Sequence, residues 1–77
     1  ELIINVTKEG KFLIAGQEHG FEDIDRLLKR ATAGNPHQAV VIRGDKLTML
    51  QFAVNILDLC EKYGVESIYL TTSKAGT

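Results

Sequence analysis

The sequence has one cysteine, almost no net charge and no long hydrophobic run. A lone Cys60 has no partner within the chain, so this is not a scaffold stapled by its own disulfides. Nine Lys and Arg stand against ten Asp and Glu, and no basic tract exceeds Lys29-Arg30. Binding that depends on neutralising phosphates needs a concentrated positive face, so no nucleic-acid partner is expected. The longest apolar runs, Phe12 to Ala15 and Ala39 to Ile42, fall far short of the roughly 20 residues that span a bilayer. No signal peptide is visible. The chain opens on Glu-Leu-Ile-Ile without an initiator methionine and is expected to be a piece of something longer.

What remains is 77 residues, enough for one small domain with a marginal core. Leu2 to Thr7 alternates, with Leu2, Ile4 and Val6 on one face, and reads as a strand. Lys8 to Lys11 makes a turn around Gly10, and Lys11 to Ala15 returns antiparallel. Gly16-Gln17 is read as the break that ends this second strand. Phe21, Ile24, Leu27, Leu28 and Ala31 recur at three and four residues, predicting a helix from Phe21 to about Ala33. Its expected N-cap is Gly20, and Gly34-Asn35-Pro36 should stop it, with Gly34 free to take a left-handed cap. Gln38 to Arg43 is a third strand, Leu47 to about Lys62 a second helix ended by Tyr63-Gly64, and Glu66 to Thr72 a last strand. The predicted class is α/β (α+β) in the order β-β-α-β-α-β. The β-α-β half should cross over right-handed, giving a mixed four-stranded sheet with both helices packed on one face. Residues 1–72 are expected to form one domain and 73–77 a frayed tail.

The second helix is apolar over a wide arc. Thr48, Gln51, Asn55, Asp58 and Lys62 make one narrow polar stripe, and most other positions are apolar. A helix lying on a sheet needs only about a third of its circumference buried. Two readings follow. Either the first helix and the sheet cover both flanks, or Met49, Phe52, Ile56 or Leu59 meets a partner. The sheet raises the same question. If Leu2, Ile4 and Val6 face the helices, then Ile3, Leu13, Val41 and Tyr69 share the other face with Asn5, Arg43 and Thr71. Such a face is either wet or covered in an oligomer, so self-association is expected.

No set of residues assembles an active centre. His19 and His37 fall in predicted loops, and no Cys-x-x-Cys or His-x-x-x-His spacing supplies the ligands of a metal site. Cys60 sits on an apolar part of its helix and reads as a packed thiol. Gly16 and Gly20 flank Gln17-Glu18-His19 too sparsely for a phosphate loop. Glu22, Asp23 and Asp25 are a solvated helix face, since adjacent helical positions diverge. Arg43, Asp45 and Lys46 lie where the third strand meets the second helix. Asp45 either caps that helix or takes part in a contact, and Arg43 and Lys46 are candidates for a partner or for a small anion at the helix start. Neither catalysis nor a cofactor is expected.

The motifs resemble the periplasmic domain of the ExbD/TolR family. Ile4-Asn5-Val6-Thr7-Lys8-Glu9-Gly10-Lys11-Phe12 is similar to the family's opening hairpin. Phe21-Glu22-Asp23-Ile24 with Leu27 resembles its first helix. Asn35-Pro36 followed by Val40-Val41-Ile42-Arg43-Gly44-Asp45-Lys46 resembles a strand ending in Arg-Ala-Asp-Lys. Ala53 to Leu57, Gly64-Val65 and Ile68 to Thr72 resemble the second helix, the glycine-valine turn and the last strand. The departures are local: Met49-Leu50-Gln51 stands where a Pro-Tyr-Gly segment is usual, and Gly20 replaces a capping serine. The resemblance is open to a transporter-type member, a Tol-type member or a divergent paralogue.

The resemblance implies a single-pass protein at the periplasmic face of a Gram-negative inner membrane, with its transmembrane helix and proton-coupling aspartate outside this fragment. It further implies a homodimer held within an ExbB/TolQ-like channel subunit, passing force to a TonB- or TolA-like protein, with peptidoglycan a ligand of some Tol-type members. The alternative reading is a regulatory domain binding a small anion or nucleotide.

Overall fold

Alternation of apolar residues and a few well-placed turn residues account for most of the backbone. The structure, a computed structural model, describes residues 1–72; the predicted tail lies outside the described residues. Strands β1 (Leu2–Val6), β2 (Phe12–Ile14) and β3 (Gln17–His19) precede helix α1 (Phe21–Gly34), and strand β4 (Ala39–Gly44), helix α2 (Lys46–Lys62) and strand β5 (Ser67–Thr72) complete the order. One sheet runs β3-β2-β1-β4-β5. β1 is antiparallel to β2 and parallel to β4, and β4 is parallel to β5.

The mixed sheet and the two helices are as the sequence predicts, but the sheet has five strands rather than four. The break expected at Gly16-Gln17 is a hairpin turn. Ala15 at φ 52° and Gly16 at φ 80° make a two-residue loop of left-handed conformations, whose twist matches paired strands. Ile14 then pairs with Gln17 and Phe12 with His19. Gln17-Glu18-His19 has little strand propensity, so its pairing comes from the free edge of β2. His19 is accordingly a strand residue, not the loop residue expected.

The core lies between the sheet and the helices. Ile4, Val6, Phe12, Val40 and Ile42 from the sheet meet Ile24 and Leu28 of α1 and Met49, Ala53, Ile56, Leu59 and Cys60 of α2. α2 lies across β1, β4 and β5, while α1 rests on α2 and β3. Phe21 sits at the rim, its ring tilted against Phe12 with centroids 6.5 Å apart.

The helix ends differ from expectation in one respect. Gly34 stays helical and takes no left-handed cap; among the described residues only Gly10, Gly16 and Gly64 are glycines with positive φ. Asn35 is extended, as the residue before a proline prefers, and its N–H reaches Ala31 O at 3.0 Å. α2 ends as expected at Gly64, φ 70°. Val65 N–H bonds Cys60 O and Gly64 N–H bonds Glu61 O, the pair of bonds that closes a glycine-capped helix. α1 and α2 are tied at this end. Tyr63 Oη donates to Asp25, and Lys62 Nζ lies 3.6 Å from the same carboxylate.

Candidate functional site

Three surfaces collect the residues singled out in the sequence. The first is the sheet face turned away from the helices. Register places Ile3, Val41 and Tyr69 in one row across β1, β4 and β5, and Asn5, Arg43 and Thr71 in the next. Leu13 joins the second row through its pairing with Asn5. The predicted phasing therefore holds. Val41 is nevertheless only 8% exposed, although it stands apart from the main core. Tyr69, on the edge strand, is 56% exposed. The apolar contact area of this face is Ile3, Leu13 and Tyr69, with Val41 as its floor.

The second is the junction of β4 and α2. Asp45 is the N-cap of α2, and its carboxylate accepts from Thr48 N–H at 2.8 Å. That backbone hydrogen bond, then the Thr48 side chain and, more weakly, the charge of Lys8, hold the Asp45 carboxyl below the usual range against an opposing effect of burial. The start of the helix is therefore already filled by an anion of the chain itself, which removes the basis for a small anion binding there. Lys46 begins the helix exposed, and Arg43 leaves the strand exposed on the open face. With Asn5, Thr7 and Lys8, Arg43 and Asp45 border a cleft of about 270 Å³ at the carboxyl ends of β1 and β4.

The third surface lies on a different side of α2 from the one expected. Met49, Ile56 and Leu59 are buried in the core and offer no contact to a partner, and Phe52 is partly buried with its ring against Gly10. Thr48, assigned to the polar stripe, is buried too. α2 crosses three strands, so its inward arc is wide and consumes these residues. The apolar residues left outside are Leu47, Leu50 and Val54, all more than half exposed. Leu50, Val54 and partly buried Leu57 form a groove of about 280 Å³ with Leu70 of β5. The signal was present as a second apolar stripe, 47, 50, 54 and 57, at helical spacing.

β5 borders that groove and is an edge strand with no charge and no proline. Edges of this kind usually carry charged or proline guards, because an unpaired row of N–H and C=O groups recruits other strands. The opposite edge, β3, is guarded by its shortness and by Glu18 and His19.

Among the described residues no catalytic set assembles. Cys60 is buried, and burial pushes its thiol pKa up, away from the reactive thiolate. His37 lies 3.4 Å from the exposed Glu66, and His19 approaches Asp23 at 3.9 Å. Among the described residues no group of His, Cys, Asp and Glu could hold a metal ion. None of their helices is long and apolar enough to cross a membrane.

Comparison by sequence places the chain. The family model described as "Biopolymer transport protein ExbD/TolR" matches residues 1–75. The chain belongs to the ExbD/TolR family. It is 32% identical over 73 residues to "Biopolymer transport protein ExbD" of Aquifex aeolicus (strain VF5), a match covering 95% of this chain and 53% of that protein. The chain thus spans about half the length of that curated relative. Within the ExbD/TolR frame, the Asn35-Pro36 to Lys46 motif contains the strand Ala39–Gly44, buried from Val40 to Ile42, which delivers Arg43 to the open face and leads to Asp45 at the helix cap.

Proposed function

We propose that this chain is a non-enzymatic interaction domain of an inner-membrane complex that uses proton-motive force for biopolymer transport. In that reading the longer protein carries a transmembrane helix that seats it beside an ExbB/TolQ-like channel subunit. This domain stands in the periplasm and passes force to a TonB- or TolA-like protein. Family membership supports the setting. The observation that carries an interaction role is the unguarded β5 edge beside the groove of Leu50, Val54 and Leu70. A strand laid there gains main-chain hydrogen bonds and seats alternate side chains on Tyr69 and Leu70. Force transmission needs such an attachment and a compact support, and no pocket for a substrate. A second copy fits the same edge, joining two five-stranded sheets across a two-fold axis.

The test is photo-crosslinking in the full-length protein in its own membrane, with the reactive group in place of Leu70 or, as a control, of Arg30 on the outer face of α1. Adducts from position 70 with a second copy or with a protein reaching the outer membrane are the expected result. Equal labelling from both positions, or a full-length protein with no membrane-spanning segment, would refute the proposal.

A further inference from the structure

Charge on the open face is balanced at one end and unbalanced at the other. On the β2–β3 side, Lys11 and Glu18 lie 3.4 Å apart and neutralise each other. At the carboxyl ends of β1 and β4, Arg43 and Lys8 border one cleft, and neither has an ion-pair partner among the described residues. Asp45, the carboxylate on that cleft, accepts from the Thr48 amide and feels the charge of Lys8, so two cations face one carboxylate and the cleft keeps an excess of positive charge. Asn5 and Thr71 flank Arg43 in register, and the side chain of neither has a hydrogen-bond partner among the described residues. Two residues back along the same strands, about 7 Å away, lies the apolar row of Ile3, Val41 and Tyr69.

We infer that this end of the open face docks an acidic protein segment, with an Asp or Glu carboxylate seated between Arg43 and Lys8 and a neighbouring apolar side chain lying on Tyr69 and Val41. The inference rests on the reading of this chain as an interaction domain and names the chemistry of one partner contact. Charge complementarity selects the occupant. The planar guanidinium of Arg43 takes a carboxylate through two parallel hydrogen bonds, and Lys8 adds a point charge. A phosphate compound would seek the helix N-terminus, which Asp45 fills. The spacing of cation and apolar row suits an extended segment, in which side chains two residues apart share a face. The partner contact is thus an acidic residue and an apolar residue at positions i and i+2.

The test uses the ¹⁵N-labelled 77-residue chain. It is titrated with the peptide acetyl-Ser-Glu-Ser-Leu-Ser-amide, with its Glu-to-Gln counterpart and with inorganic phosphate, at low and high salt. Amide shifts should centre on Asn5, Lys8, Arg43 and Thr71 and weaken as salt rises. The Glu peptide should bind about threefold to tenfold more tightly than the Gln peptide, the value of a solvent-accessible charge-assisted pair. Arg43→Gln and Lys8→Gln should each remove most of that preference, and Arg43→Lys should restore only part of it. Both residues are exposed, so the variants should keep the wild-type spectrum elsewhere. Equal binding of the two peptides, phosphate binding as tight as the Glu peptide, or no shift with either peptide would overturn the inference. Shifts confined to the β5 edge and the Leu50–Val54 groove would overturn it while leaving the interaction domain standing. Failure of that broader reading appears separately, in the crosslinking.

Discussion

Replacing Ile42 with alanine tests the packing and the phasing of the sheet together. Ile42 is fully buried in the interior strand β4, between Ile4 and Leu70 in register, and faces α2. Truncation removes three carbons and leaves a cavity that a rigid sheet closes poorly, so the loss should be about 2 to 5 kcal/mol. A domain of this size holds only about 4 to 12 kcal/mol in total. A loss of about 3 kcal/mol should therefore lower Tm by about 12 to 25 °C. Val41, one residue earlier, is also buried but lies on the open face outside the main core. Val41→Ala should lose about 1.5 kcal/mol, two carbons at about 0.8 kcal/mol each without the full cavity penalty. Urea unfolding and thermal melts followed by circular dichroism, at low protein concentration, measure both. If Val41→Ala destabilises as much as Ile42→Ala, the assigned faces are inverted. If Ile42→Ala loses under about 1 kcal/mol, the core is not where the burial places it.

Three further outcomes follow from local geometry. Gly10→Ala should destabilise more than Gly16→Ala: both have positive φ, but a Cβ at Gly10 meets the Phe52 ring at 2.7 Å and one at Gly16 meets nothing within 4 Å. Paired melts of the two variants check this, and Phe52→Leu should narrow the gap. Asp45→Ala should lower Tm by about 5 °C through loss of the α2 cap while leaving the fold intact, read from melts and from the amide spectrum. Tyr63→Phe should flatten the pH dependence of stability at both ends. Its hydrogen bond, then the charge of Lys62, keeps the Asp25 carboxyl below the ordinary range against an opposing effect of burial, so that contribution is present above the unfolded pKa and is lost as pH falls through the folded one. Tyr63, through its bond to Asp25, and Lys62, through Tyr63 and Asp25, are raised, so theirs is present below the unfolded pKa and is lost as pH rises through the folded one. Urea midpoints over a pH series check both limbs, and unchanged limbs in the variant would refute the clamp.

The sequence alone determined what depends on neighbours along the chain. Alternation in Leu2–Val6 and Ala39–Gly44, helical spacing in α1, the cap at Asp45 and the glycine closing α2 are short-range choices, and each residue carries its own signal. Family motifs were legible for the same reason, since they are runs of such choices in order. Tertiary structure decided what depends on an element's surroundings. Gln17–His19 became a strand because β2 offered an unpaired edge, which no property of those three residues announces. Met49, Ile56 and Leu59 went inside while Leu47, Leu50 and Val54 stayed out, because the rotation of α2 about its own axis, set as it packs on three strands, turns one apolar stripe of two inward. Hydrophobicity sets how much of a helix is buried; its rotation against the sheet decides which side, and that side decides where a partner can dock.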